Sequence, residues 1–416
     1  MRLNNWRHST IAAGIISGIL IGCGATALKH LIALISGLFV SGIHAHGANY
    51  ILLAVPLTGI MLSGMMSKYV FKVPMEYATE RIRNDISAGA RRMKRRLTVA
   101  PILTSGVTLG CGGSAGAEGP IAYSGAAIAN NVGRLLRIPA NMLTVMIACG
   151  AGAGIAAIFK APVGGMLFTI EVLGMELGVA SILLLTAMCL TSALTAFILS
   201  GYTPDLVFHE TAAATDIGFL AAAAVLGIFC GLYSLYYLNT GLYLRRRLRH
   251  IAVPWRRNLI AGAILSTGVF CFPALYGEGY GLVEEIINGA ASGLTYGMPF
   301  HLGNGLIPVA VGILLIKSIA TYATNSGGGV AGDFAPTLFA GCIAGLLFAS
   351  VSGMTPHTGS LALAGMAGVM AGAIRAPYMA IFLTVEMAAS PGLLLPVTVT
   401  AATSYLSSKA FMSAKI

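Results

Sequence analysis

The chain has 416 residues, of which 56% are apolar and 9% charged, with a mean hydropathy of +0.83. A soluble domain carries roughly 25% charged residues, so this composition excludes a water-soluble globule and predicts an integral membrane protein. The net charge of +11 does not point to nucleic acid, because the basic residues collect in a few short stretches between apolar runs.

In chain order, Arg2 and Arg7 precede a first apolar run, Ile11–Leu28, and a second follows at Tyr50–Met66. Runs of roughly 18 to 20 such residues cross the hydrocarbon core as helices. The stretch from Lys68 to Arg96 then holds nine basic residues against Glu76, Glu80 and Asp85. After the runs Val179–Leu199 and Phe219–Leu238 comes a second basic cluster, Arg245–Arg247, Arg249, Arg256 and Arg257. The run Ile307–Tyr322 follows, and Lys409 and Lys415 lie near the end. Short Lys/Arg-rich loops stay cytoplasmic, so both clusters and both termini are expected inside. The N-terminal run has no convincing small-residue cleavage site and reads as a retained span. The seven cysteines stand singly in apolar or glycine-rich stretches, so no disulfide frame, metal site or cofactor is expected.

The chain resembles itself. Lys160-Ala161-Pro162 through Thr169-Ile170-Glu171 lines up with Arg375-Ala376-Pro377 through Thr384-Val385-Glu386 at an offset of 215. Gly116-Ala117-Glu118-Gly119-Pro120 pairs with Gly332-Asp333-Phe334-Ala335-Pro336 at 216, and Gly18-x-x-x-Gly22 with Gly227-x-x-x-Gly231 at 209. These landmarks predict two duplicated repeats, 1–215 and 216–416, dividing within His209–Asp216, with no soluble regulatory domain. Duplicated halves whose spans are interrupted by Gly and Pro at corresponding places point to a transport site between them, near the bilayer midplane.

The interruptions suggest what is carried. Five glycines in Leu109–Pro120 break a helix, and Pro120 suits the first turn of a new one. A helix therefore starts inside the membrane, where irregular backbone is tolerated only if protein buries it or it lines a cavity. Its free N–H groups and positive dipole end make an anion site. Ser326–Pro336 builds the same object in the second half. Glu118 sits in the first of them, and an ionisable residue at that depth is a functional candidate by default. Its carboxylate is a tethered anion that fills the site until a free anion or a proton displaces it; the plainer alternative is a structural helix cap. Asp333 carries the same two readings, cap or additional titratable group. Glu171 and Glu386 each end an apolar helix and are expected to bond backbone, whereas Lys160 and Arg375 are expected to reach for the interface. Gly112-Gly113-Ser114-Ala115-Gly116 fits the nucleophile elbow of hydrolases, but that motif needs a strand before it and His and Asp partners. Nothing brings His44 or His46 near, and an enzyme is not expected.

These residues resemble the CLC family of chloride channels and chloride/proton antiporters. Gly116–Pro120 is similar to its Gly-basic-Glu-Gly-Pro signature, with Ala117 at the basic place, and Gly332–Pro336 to its Gly-x-Phe-x-Pro loop. Gly150–Val172 and Gly365–Met387 resemble its remaining paired helices. The resemblance implies an all-α polytopic fold of two halves, inverted relative to each other, in a bacterial inner membrane, with homodimers carrying one path per subunit. It implies that Gly116, Ala117, Gly119 and Pro120 together with Gly332, Asp333, Phe334, Ala335 and Pro336 surround a chloride or other halide, and that Glu118 gates it and takes up protons. Three departures stand out. The family's first anion motif is matched only by Val70-Phe71-Lys72-Val73-Pro74, which lacks its serine. Met412 stands where a tyrosine ligand is expected, so selectivity for chloride over fluoride stays open. Val172 occupies the place where many antiporters carry an inner glutamate, as in family members that are channels, so a passive channel remains the alternative to proton-coupled exchange.

Overall fold

The computed structural model describes residues 2–40, 49–73, 78–176, 178–204, 206–208, 216–300 and 305–413. His44, His46, Pro74, Glu76, the stretch 209–215, Ala414 and Lys415 lie outside the described residues. The architecture is all-helical, and eight of the described helices are long and apolar enough to cross a membrane: Ser9–Phe39, Tyr50–Phe71, Ala140–Phe159, Val179–Leu199, Ile217–Arg249, Leu306–Ser326, Phe334–Ser352 and Thr355–Ile374. Each predicted apolar run falls inside one of these. Three shorter apolar helices, Ala100–Gly110, Pro162–Val172 and Pro377–Met387, each have proline in the first turn, where its missing N–H costs nothing. The protein is a multi-pass membrane protein. Its exposed large side chains, among them Leu34, Leu183, Leu194, Leu232 and Leu406, are of the kind that lipid tails solvate.

One expectation needs adjusting. Arg245–Arg247 and Arg249 do not sit in a connector but extend the helix Ile217–Arg249 through its last turns, where cations meet the negative end of the helix dipole. Arg256 and Arg257 open the next helix, Pro254–Cys271.

The packing repeats as the sequence does. Gly18 and Gly22 lie against Thr191, Ser192 and Thr195, and Gly227 and Gly231 lie against Thr400, Thr403, Ser404 and Ser407. A Cβ at any of the four would overlap the facing helix, so glycine is what permits these close approaches. Gly125 against Gly150 and Gly341 against Gly365 make a second matched pair, backbone on backbone. The two halves also grip each other reciprocally. Ser114 N–H donates to Thr324 Oγ1 and Val330 N–H donates to Thr108 Oγ1, both at 3.1 Å. Adding 216 to the first donor and subtracting it from the first acceptor gives the second pair, as a two-fold relation between halves requires.

Candidate anion site between two helix starts

Each half contributes a helix that gives way at a glycine-rich turn and a second that begins just beyond it. Ala100–Gly110 gives way to the helix Glu118–Leu135, and Leu306–Ser326 gives way to Phe334–Ser352. The reversals use left-handed backbone at Gly112 (φ +93°) and Gly328 (φ +97°), a region closed to most other residues. The loops meet at Gly116 and Gly332, which exchange two backbone hydrogen bonds: Gly116 N–H to Gly332 O at 3.0 Å and Gly332 N–H to Gly116 O at 2.6 Å. This bridge brings the residues singled out in the two loops into one buried place, with Ala117 at one helix start and Asp333 at the other.

Glu118 is completely buried there. Its Oε1 accepts from the Ala335 N–H at 2.5 Å, so the carboxylate of the first repeat's helix lies on the start of the second repeat's helix. Its Oε2 has no hydrogen-bond partner and is directed at the Gly116–Gly332 bridge, close enough to exclude a Cβ from either glycine. A carboxyl oxygen thus stands where unpaired amides and the dipole favour an anion. Of the amides expected at the site, that of Ala117 is also taken: it donates to Glu278 Oε1 at 2.9 Å.

Below this point opens a cavity of about 350 Å³, lined by Glu80, Arg83, Tyr237, Arg245, Asn325 and Asp333 among others. Asn325 Nδ2 donates to Asp333 Oδ1 at 2.6 Å, and Arg245 pairs with Glu80 at 3.2 Å. Asp333 therefore does not cap its own helix through its side chain; it faces this cavity. Val172 lines the same cavity. Phe334 closes its inner wall edge-to-face with Phe168, ring centroids 5.6 Å apart.

Other expectations resolve locally. Glu171 accepts from Tyr378 N–H (3.4 Å) and Met379 N–H (2.8 Å), while Glu386 accepts from Val163 N–H (3.1 Å) and Gly164 N–H (2.7 Å). Each carboxylate caps the short helix of the opposite repeat, the structural role expected of it. Lys160 and Arg375 both adopt left-handed backbone at helix ends. Lys160 Nζ donates to Thr203 O at 2.6 Å, and Arg375 Nη2 lies 2.7 Å from Met412 Sδ. Met412 is engaged with that guanidinium and is not among the residues lining the cavity. In the degenerate first motif, Lys72 ends a π-helical turn, Met66–Phe71, and Ser67 Oγ donates to Val73 O at 2.9 Å.

Two site residues escaped the sequence reading. Lys317 is 1% exposed, its Nζ donating to Ser114 Oγ at 3.0 Å and lying 4.6 Å from the Phe339 ring centre. A signal was there: it is the one charged residue of Leu306–Ser326, and a lone charge in a span marks function. Glu278 gave little warning, being a single carboxylate between two glycines in a connector.

Comparisons with known proteins bear on the family and the fold. Residues 59–409 match the family described as voltage gated chloride channel. A ClcB-like chloride channel protein of Ralstonia nicotianae is 29% identical over 377 residues, covering 86% of this chain and 82% of its own length. In fold, the chain is similar to a slow cyanobacterial Cl−/H+ antiporter (TM-score 0.78, 21% identity, 98% of this chain and 94% of that one). It is likewise similar to a CLC-type fluoride/proton antiporter (TM-score 0.76, 20% identity, 98% and 96%).

Proposed function

We propose, for a chain that belongs to the voltage gated chloride channel family, the exchange of chloride or another small halide for protons across the membrane. The observation that carries this reading is the Glu118 carboxylate bound on the Ala335 amide between two helix starts. Charged, the carboxylate holds the amide and excludes a free anion. Protonated, it is a weaker acceptor and leaves, and a halide takes its place among the backbone of Gly116–Pro120 and Gly332–Pro336. Deprotonation toward the other side returns the charge and expels the halide. One side chain then alternates between proton and anion traffic, which is what coupling requires.

Asp333 serves in this scheme as a second titratable group, reached from the cavity beneath the site and steadied by Asn325. Met412 is retained as a candidate that acts only if it parts from Arg375. Two copies of the chain, each with its own path, and termini on the cytoplasmic face of a bacterial inner membrane complete the reading; both come from the family resemblance and the distribution of basic residues.

A second reading, the passive chloride channel, is favoured by one observation: Val172 gives the cavity an apolar wall at the place where many antiporters carry their inner glutamate. Purified protein in liposomes under an outward halide gradient, with external pH recorded, separates the two. Proton uptake driven by the halide supports exchange; halide flux with no proton movement supports the channel.

A further inference from the structure

The charged groups nearest the site obey no symmetry. Everything that builds the two helix starts occurs twice, from Thr108 and Thr324 to Gly112 and Gly328. Lys317 and Glu278 occur once: an offset of 216 places Pro101 and Leu62 opposite them. Features that do not repeat can give the scaffold a direction.

Glu278 is held with care. It stands between Gly277 (φ +65°) and Gly279 (φ +85°), two left-handed positions in succession around one carboxylate. Tyr276 pins the loop from one side, its hydroxyl donating to Gly110 O at 2.6 Å and its ring lying against Gly112. On the other side Gly279 rests on the Phe339 ring, where a Cβ would overlap it. The loop thereby presents Glu278, half-buried, to the Ala117 amide at the start of Glu118–Leu135. That amide is one that a halide at this helix start would use. Phe339 also carries Lys317 on its face, and the Lys317 Nζ donates to Ser114 Oγ three residues ahead of Ala117.

We propose that Glu278 is a second displaceable carboxylate of the path, competing with the passing anion for the Ala117 amide, with the buried Lys317 amine, anchored on Ser114, as the group beside them that responds to their charge. The proposal rests on the anion-transport reading and adds to it a second gate on the Glu278 side. Ala117 leaves the helix start without the basic side chain of the family signature, and Lys317 brings an amine from another span to Ser114, three residues upstream. The titratable groups around Glu278 are Glu118 and Lys317 from the packed helices, Tyr276 and Tyr280 of its own loop, and Asp333, which acts through Glu118. Acid conditions on this side neutralise Glu278, free the amide and open the path. Two carboxylates then give two steps in the dependence of flux on pH, where Glu118 alone gives one.

The test compares wild type, Glu278→Gln and Glu118→Gln in full-length protein, by calorimetric chloride and fluoride titration and by liposome flux against external pH. Glu278→Gln is expected to tighten halide binding about three- to fivefold, a charged acceptor being replaced by a weaker neutral one in a half-solvated place. It is also expected to remove one of two pH steps while halide-driven proton movement persists. Glu278→Asp retracts the carboxylate from the amide but keeps the charge beside Lys317; it is expected to tighten binding as Glu278→Gln does and serves should the latter fail to fold. Lys317→Gln is expected to weaken halide binding, with recovery in Lys317→Arg. Halide affinity and pH profile equal to wild type in the Glu278 variants, with Glu118→Gln responding, would overturn the second gate and leave the transport reading standing. Wild-type protein that carries no anion would overturn both.

Discussion

Replacing Glu118 by Gln tests the centre of the mechanism, because the substitution keeps the volume and removes both charge and titration. In the structure the carboxylate accepts one hydrogen bond, from the Ala335 N–H, and its second oxygen has no partner. A hydrogen bond to a charged group contributes about 1.5–3 kcal/mol and a neutral one about 0.5–1.5 kcal/mol. The tethered competitor is therefore weakened by about 1–1.5 kcal/mol when the charge is lost. At about 1.4 kcal/mol per factor of ten, halide affinity should rise about five- to tenfold. The sign of the pH effect follows from the same competition. In wild type, protonation frees the Ala335 amide, so anion flux should increase as pH falls; in Glu118→Gln the step that Glu118 contributes should be lost, leaving the one assigned to Glu278. Proton movement coupled to the halide should vanish, since the side chain no longer takes up a proton. Calorimetric titration gives the affinity, and liposomes loaded with halide and monitored by a pH electrode give the coupling. Proton pumping that survives in Glu118→Gln would refute the assignment and make Asp333 the first residue to examine.

Other consequences can be checked with the same preparations. Asp333→Asn should keep coupling but displace the pH profile for flux from the cavity side, because the carboxylate faces that cavity beside Asn325; an unchanged profile would reduce Asp333 to a structural role. Met412→Tyr should leave halide binding unaltered while Met412 remains on Arg375; tighter binding would show that the tyrosine reaches the site. Glu171→Gln and Glu386→Gln should each lower stability by about 1–3 kcal/mol through weakened caps, by similar amounts, with halide affinity retained, as thermal unfolding in detergent would register. Gly341→Ala should cost about 1–3 kcal/mol by forcing apart backbones that meet at Gly365. Gly37→Ala, on a helix face with no atom within 4 Å of the new methyl, should be neutral or gain up to about 1 kcal/mol.

What the sequence made legible were features with a local cause. Apolar runs specify spans because every backbone polar group in lipid must be satisfied within the helix, and Gly112, Gly328, Pro120 and Pro336 mark broken helices through φ and the missing N–H. Glu171 and Glu386 were readable as structural from their place at helix ends, yet their partners were not. Each bonds amides more than 200 positions away, a distance along the chain that no window of residues spans. Glu278 was hidden for the same reason: its partner lies 161 positions upstream. Lys317 could have been found. Charges gathered in clusters dominate the composition, and a single lysine inside an apolar span is lost in the total, although isolation is what makes such a lysine costly and therefore informative.

The two repeats separate what builds the site from what operates it. Backbone amides at a helix start carry no side-chain identity, so duplication preserves them: Gly116 with Gly332, Thr108 with Thr324, Glu171 with Glu386 all keep their partners across the halves. A path lined only by such matched parts would look the same from either side. The side chains that can change charge break the match. The repeat places Phe334 opposite Glu118 and Ala117 opposite Asp333, so one carboxylate enters the site from the first helix while the other stays back at the cavity. Glu278 and Lys317 deepen the difference on the side of Ala117. Around the Ala117 start stand two carboxylates, Glu118 and Glu278, and the buried Lys317; around the Asp333 start stand Asp333 itself, the Phe334 ring and the apolar Val172. On the anion-transport reading proposed above, the matched backbone would supply the anion site and the few unmatched charges would set from which side a proton opens it.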